Sequence, residues 1–486
     1  MPTAIDYNKC GARLLKRGQV SNAAVAFRHA LRLAPASAEA HNALSVALRL
    51  QGQLDEAMAH CRTATRLAPK MAEAHNNLGS MLQEQRKTAA AITCFREALH
   101  LEPELVSAWS NLGIALYREH RYRSAAACYR QAIALQPDFA EAHNNLASAL
   151  FDLGQSDEAL KSFAEAIRLK PDYREPHWGR ALVWLSRGEY EKGWPEFEWR
   201  PSRAESLKGD RPGWDGSDLT GRTILLEAEQ GLGDTLQFVR YGSLVKQRGG
   251  KVVLASQPRL VRLLRSACPV VDEVIAIDEA PPRFDFHLPL LSLPSVFATT
   301  LDEVPCDIPY LHLDSRLVEY WRAELSRWPG FKIGVAWQGN RDYRADRERS
   351  IPLTVFEPLA RMPGVQLISL QKGPGIGQAA VARQRFRLLD FGERLDEASG
   401  PFMDTAALMQ SLDLVLTCDS AICHLAGALG VPVWVALPAA ADWRWMRGRD
   451  DSPWYPSMRL FKQSTRGQWG EVFENMADIL GRLHEP

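Results

Sequence analysis

AEAHNNLGSMLQEQRKTAAAITCFREALHLEP (residues 72–103) and AEAHNNLASALFDLGQSDEALKSFAEAIRLKP (residues 140–171) open on the same seven letters and close on the same proline. Prolines fall at 35, 69, 103, 137 and 171, each 34 residues after the last. The same step carries alanines at 23, 57, 91, 125 and 159 and at 30, 64, 98, 132 and 166. Large residues recur at Phe27, Phe95, Tyr129 and Phe163, with Cys61 in the missing place. Turn glycines stand at 18, 52, 154 and 188, replaced by Arg86 and His120 between them. Small residues where two helices cross, a large one in each second helix and a proline after it predict a helix-turn-helix solenoid. A polar ladder runs in register through it: His41-Asn42, His75-Asn76-Asn77, Asn111 and His143-Asn144-Asn145. Lining a groove, amides at Asn42, Asn76, Asn77, Asn111, Asn144 and Asn145 can hydrogen-bond a peptide backbone regardless of its side chains. The alternative is that they cap or bridge neighbouring helices.

The period fails near residue 200, where RPSRAESLKGDRPGWDGSDLTG (200–221) is polar and turn-forming. Beyond it apolar runs alternate with helical stretches: TILLEAE, KVVLAS, EVIAI, KIGVAW, QLISL, DLVLTC and PVWVAL. Continuous apolar strands separated by helices predict parallel sheets covered on both faces. In such sheets ligands sit at the carboxyl ends of the strands. Those exits carry Gln230-Gly231-Leu232-Gly233-Asp234, Gln338-Gly339-Asn340, Gln371-Lys372-Gly373, Asp419-Ser420 and Asp442-Trp443-Arg444-Trp445.

Each exit has a chemical and a plain reading. Gly231 and Gly233 let backbone approach a ligand, but Leu236 stands where a dinucleotide fingerprint needs a third glycine. Asp234 suits a general base, or a helix cap. The helix starting at Asp419-Ser420 offers free N–H groups and a positive dipole end to a diphosphate, with His424 in reach or simply buried. Lys372 suits a leaving anion, or water. WQGNRDYRADRERSIP (337–352) holds Arg341, Arg344, Arg347 and Arg349, of which Arg349, with Ser350, best fits phosphate. Trp443 and Arg444 suit a nucleobase or sugar face, or interior packing.

The bulk numbers narrow the class. The 486 residues exceed one core, and a net charge of +0 gives no pull toward nucleic acid or anionic membrane. MPTAIDYNKC lacks a secretory pattern, and no apolar run reaches the roughly 18 residues of a membrane span. Eight cysteines without CxxC or zinc spacing read as reduced thiols of a cytoplasmic protein.

Residues 72–103 and 140–171 resemble tetratricopeptide repeats, five clear and a sixth degenerating into GEYEKGWPEFEWRP. EQGLGDTLQF (229–238), VAWQGN (335–340), RSIPL (349–353), SLQKG (369–373), CDSAICHLAGALGVPVWVALP (418–438), DWRW (442–445) and SPWYPSMRLFKQ (452–463) together resemble a GT-B glycosyltransferase. The branch is the bacterial, tetratricopeptide-linked one, similar to glycosyltransferase family 9 (heptosyltransferases) and to O-GlcNAc transferases. The resemblance implies Asp234 as base, Asp419, Ser420 and His424 on the donor phosphates, and Lys372 as the nearest cation for the diphosphate. The sugar-half motifs differ from those of the O-GlcNAc transferases, so the donor sugar is left open.

The expectation is therefore multidomain: an all-α tetratricopeptide solenoid (1–207), then an α/β GT-B fold of two Rossmann-like halves. These are an acceptor half (208–315) with Gly231, Gly233 and Asp234, and a nucleotide-sugar half (316–486) with Gln338, Asn340, Arg349, Ser350, Lys372, Asp419, Ser420, His424, Trp443 and Arg444. The expected activity is inverting, metal-independent sugar transfer from a nucleotide-sugar to a hydroxyl of a protein held by the repeats, without cofactor. The alternatives are a repeat scaffold with a degenerate transferase fold, or a heptosyltransferase-like enzyme acting on a lipid or polysaccharide.

Overall fold

The computed structural model describes residues 1–201, 211–342 and 346–484. Arg344 and residues 202–210 of the 200–221 linker lie outside the described residues. The chain divides into two compact units, Met1–Val183 and Trp184–Pro486.

The first unit is all helix. Helix pairs run from Ala4–Lys16 and Val20–Leu33 to Ala140–Asp152 and Ser156–Leu169, and Arg174–Ser186 follows. The in-phase alanines explain the packing: Ala23, Ala57, Ala91, Ala125 and Ala159 are all fully buried. A methyl there lets two helix backbones approach. Gly11, Gly79 and Gly113 lie under the rings of Phe27, Phe95 and Tyr129, where a Cβ would come within 2.5 Å of the ring. In the second repeat the aromatic is Cys61, and the glycine position is filled by Ser45. Small faces large in one repeat, medium faces medium in the next, and the volume between the helices is kept. The turn glycines explain themselves too: Gly18, Gly52, Gly154 and Gly188 have φ between 74° and 82°. Arg86 and His120 hold the same left-handed place at φ 59°, at a cost glycine avoids.

The second unit holds two sheets. Strands β1 (Thr223–Glu227), β2 (Lys251–Ser256), β3 (Glu273–Ala276) and β4 (Phe286–Pro289) form one, ordered β3-β2-β1-β4. Strands β5 (Phe331–Ala336), β6 (Val365–Ser369), β7 (Leu414–Cys418), β8 (Val433–Leu437) and β9 (Met458–Lys462) form the other, ordered β6-β5-β7-β8-β9. Every pairing in both sheets is parallel. All seven runs read as strands from the sequence are strands. The two that were missed, β4 and β9, are edge strands with polar admixture, FHLP and MRLFK. An edge strand tolerates such residues and can lose the unbroken apolar signal, as β4 and β9 do, while the other two edge strands, β3 and β6, keep enough of it to be read. Strand order reverses between β1 and β4 and between β5 and β7, the switch points at which open parallel sheets leave a crevice. No helix among the described residues is long and apolar enough to cross a membrane.

The Tyr190–Phe197 helix, second in the degenerate sixth repeat by pattern, belongs to the second unit. Trp194 stands edge-on to Trp443, Trp454 and Phe238 at 5.5, 6.3 and 6.5 Å between ring centres. Its indole N–H donates to the Thr299 carbonyl at 2.9 Å. Arg200, just beyond, is buried on Glu229 at 2.5 Å and on the Ser292 hydroxyl at 2.8 Å.

Candidate functional site

The turn after β1 begins the Leu232–Phe238 helix. Asp234, on its first turn, reaches back so that Oδ2 accepts the Gly231 N–H at 2.7 Å. Its Oδ1 pairs with Arg444. A carboxylate has about four lone-pair sites, so these two bonds leave room for a further donor. Burial pushes the Asp234 carboxyl above its ordinary value, while Arg444 and the Gly231 N–H pull it back; the net direction is up.

Arg444 sits in the Trp443–Trp445 turn after β8 and binds three ways. Its Nε donates to Gln237 Oε1 at 2.7 Å, its Nη1 to Asp442 Oδ1 at 2.8 Å, and its Nη2 to Asp234. Burial opposes its charge, but Asp442 and Asp234 outweigh that and hold the guanidinium charged.

The turn after β7 meets the same place. Ser420 is the extended cap residue of the Ala421–Ala428 helix, and its side chain makes no capping hydrogen bond. The Ser420 hydroxyl instead lies 3.3 Å from that of Thr417. His424, on the first turns, is 4% exposed and stacks on Trp445 with ring centres 5.5 Å apart. A Cβ on Gly233 would come 2.7 Å from His424 Cδ2, so the glycine is what lets the β1 turn lie against the imidazole. Burial, then the charges of Arg444, Arg240 and Arg349, push His424 well below its ordinary value, and the ring is neutral. Asp419 beside it is pushed up to about 6, by burial first and by Asp442 second, with Arg349 acting in the opposite direction.

Asp234, Gly233, Arg444, His424 and Asp419 are thus brought together from chain segments about 200 residues apart, and the charge of Arg349 reaches them. Gly231 takes part through its N–H. Lys372, Gln338 and Asn340, also expected here, make their contacts elsewhere. Lys372 donates to the Gly392 carbonyl at 3.2 Å and pairs with Glu397 at 3.5 Å, neither of which belongs to the cluster. Gln338 has its main-chain N–H on Gln371 Oε1 at 3.0 Å and its amide on Asp346 at 3.4 Å. Asn340 Oδ1 accepts the Asp342 N–H at 3.1 Å in an exposed turn. Arg349 pairs with Asp346 at 3.4 Å, and the Ser350 hydroxyl is buried without a hydrogen-bond partner among the described residues. Trp443 takes the packing alternative rather than the stacking one: it is 5% exposed, enclosed by Trp194, Phe197 and Trp454.

Asp442 stands in a strand exit named from the sequence, without a role of its own; Gln237 and Tyr455 lie within the quoted motifs, but nothing local distinguishes a buried amide or phenol that holds a partner from one that fills space. Among the described residues, Asp419, Cys423 and His424 form a group whose ligand atoms lie within 4.8 Å of one another. The Cys423 thiol is driven well above its ordinary value by burial and donates to the Ser420 carbonyl at 2.9 Å, so it keeps the proton a metal would have to displace.

In the repeat unit the polar ladder turns inward. Asn77 donates to Asn42 at 2.9 Å, Asn111 to Asn76 at 3.0 Å and Asn144 to Asn145 at 3.3 Å. Asn76, 7% exposed, bridges to the next repeat through Asn111, whereas Asn144, 9% exposed, bonds its own neighbour on one helix; Asn42, Asn77, Asn111 and Asn145 are half-buried. The histidines bridge as well. Nε2–H groups of His41, His75, His143 and His177 donate to the carbonyls of Pro35, Pro69, Pro137 and Pro171 at 2.9–3.0 Å. Trp109 makes the same bond to Pro103 at 2.8 Å.

Residues 11–72, 110–174 and 145–193 match one family model described as Tetratricopeptide repeat, and residues 72–105 match another. The first two hundred residues are a tetratricopeptide-repeat array, followed by a separate domain of parallel sheets. Protein FlbA of Caulobacter vibrioides is 30% identical over 324 residues, 62% of this chain and 54% of FlbA, so the chain spans about half the length of that relative. Among solved structures, the APC/C hetero-tetramer Cut9-Hcn1 is 18% identical with a TM-score of 0.38, over 40% of this chain and 39% of that one. Pseudomonas aeruginosa pilF is 22% identical with a TM-score of 0.37, over 40% and 88%.

Proposed function

We propose that the chain is an inverting glycosyltransferase of the GT-B type, moving a sugar from a nucleotide-sugar to a hydroxyl on a protein held by the repeats, with no metal needed. One juxtaposition supports this: the turn after β1 that carries Asp234 lies directly against His424, on the helix that follows β7 of the other sheet. The turn that holds a carboxylate made more basic by burial thereby lies beside a helix whose start suits a diphosphate.

Asp234 takes the proton of the acceptor hydroxyl. The hydroxyl oxygen bonds the anomeric carbon from the face opposite the diphosphate, and the bond from that carbon to the diphosphate oxygen breaks, its electron pair leaving with the nucleotide. The charge growing there is met by free N–H groups at the helix start and by His424. The guanidiniums of Arg349 and Arg444, whose charges bear on His424, fill the cationic role first given to Lys372. The full chain, incubated with UDP-, GDP- and ADP-sugars, is expected to release the nucleoside diphosphate and add glycan mass to a co-purified or added protein. The absence of both release and binding with every one of these donors would refute the reading.

A pH dependence follows from Asp419. Its folded value, about 6, is above that of a free carboxyl, so it gains a proton as pH falls through 6 while the unfolded chain does not. Protonation removes a negative charge beside the diphosphate site and the repulsion from Asp442. The diphosphate of a nucleotide-sugar is fully ionised across this range. Its KM is therefore expected to fall several-fold between pH 7 and pH 5.5, and Asp419→Asn to abolish that change. A KM that rises on acidification would contradict this placement of the donor.

A further inference from the structure

His424 is held by a residue outside the glycine turn and the helix start. Its Nδ1 lies 3.0 Å from the hydroxyl of Tyr455, which is wholly buried. Proton positions around that hydroxyl follow from its neighbours. The Tyr310 hydroxyl donates to the Leu236 carbonyl at 2.8 Å and accepts from Arg240 at 3.0 Å. The two tyrosine hydroxyls are 3.5 Å apart, too far for a strong bond. A buried O–H needs an acceptor, and for Tyr455 the close one is His424 Nδ1.

Tyr455 is itself fixed. The Arg240 guanidinium lies over its ring at 4.4 Å and over that of Tyr310 at 4.8 Å. Arg240 is anchored on the carbonyls of Gln237, Pro305 and Trp454 at 2.8, 3.0 and 2.5 Å. Its charge is among those that keep His424 from accepting a second proton. The imidazole then carries its one proton on Nε2, the atom on the edge turned toward Gly233 and the β1 turn.

We propose that Tyr455 is a positioning residue that locks His424 in the tautomer with Nε2–H, so that a neutral ring offers a directed hydrogen bond to a diphosphate. The anion role rests on the function proposed above; the tautomer does not. A donor that adds no charge suits a place already holding Arg349 and Arg444, where a further cation would hold the product diphosphate too tightly.

The test is 15N spectroscopy of the full chain with ring-labelled histidine at pH 7, His424→Gln identifying the signal. The expected wild-type pattern is a bare Nδ1 and a protonated Nε2. Tyr455→Phe keeps the ring and removes the hydroxyl; it is expected to populate both tautomers and to weaken binding of inorganic pyrophosphate about tenfold, roughly one hydrogen bond to a charged group. A wild-type proton on Nδ1, or an unchanged tautomer in Tyr455→Phe, overturns the positioning role. A shifted tautomer with unchanged pyrophosphate affinity overturns the anion role. Should Tyr455→Phe not fold, the wild-type spectrum still decides. The spectrum needs no sugar donor, so a chain that shows the tautomer yet transfers nothing refutes the transferase reading alone.

Discussion

Asp234→Asn is expected to lower kcat for sugar transfer by about 10²- to 10⁴-fold, the usual contribution of a positioned general base, with the donor KM little changed. Asparagine keeps the shape, but its single carbonyl oxygen can accept from only one of Gly231 and Arg444, which meet separate oxygens of the carboxylate, and it cannot take a proton. The wild-type pH profile carries a second sign of the same role. Because burial raises the Asp234 carboxyl, kcat/KM is expected to climb with pH along a limb above the ordinary carboxylate range, and Asp234→Asn to lack that limb. The substitution also leaves Arg444 with Asp442 alone as its charged partner, so a melting curve is needed beside the kinetics. Full turnover in Asp234→Asn, with the protein folded, would remove Asp234 from the chemistry.

Trp194→Ala is expected to destabilise the second unit by about 3–5 kcal/mol, the usual cost of emptying a buried tryptophan site. Trp194 joins three things: the Tyr190–Phe197 helix, Phe238 at the end of the Asp234 helix, and Trp443 beside Arg444. Emptying its site therefore loosens both partners of the Asp234–Arg444 pair. With two compact units, urea unfolding is expected to show separable transitions, of which only that of Trp184–Pro486 moves. If the transition of Met1–Val183 moves instead, the helix has been assigned to the wrong unit. Trp194→Phe, which keeps an aromatic in the cluster but loses the bond to Thr299, is expected to cost less than half as much.

These two predictions mark where the sequence stopped being legible. The seven strands read from unbroken apolar runs are there, and polar residues follow them at the carboxyl ends, because burial on both faces leaves a one-dimensional trace. Edge strands β4 and β9 leave none. Asp234, Asp419 and His424 could be named from their strand exits. Lys372 could be named by the same logic, and it turns to Glu397 and Gly392, because a long side chain on a loop finds its partner in three dimensions. Trp443 and Arg444 are adjacent, yet one is interior packing and the other holds the candidate base.

The sequence by itself determined the repeat: a 34-residue period writes helix lengths, crossing points and turns directly into the chain, since each repeat meets only its neighbours. It also determined that two parallel sheets follow. Only the tertiary structure decided that the histidines of the ladder tie down proline carbonyls, that the last helix of the repeat pattern packs with the sheets, and that Arg444, Gln237 and Tyr455 hold Asp234 and His424. The histidine bonds recur with the repeat, but residue type alone does not say which way a polar side chain turns; the contacts of Arg444 join residues about 200 positions apart and leave no periodic mark in a chain.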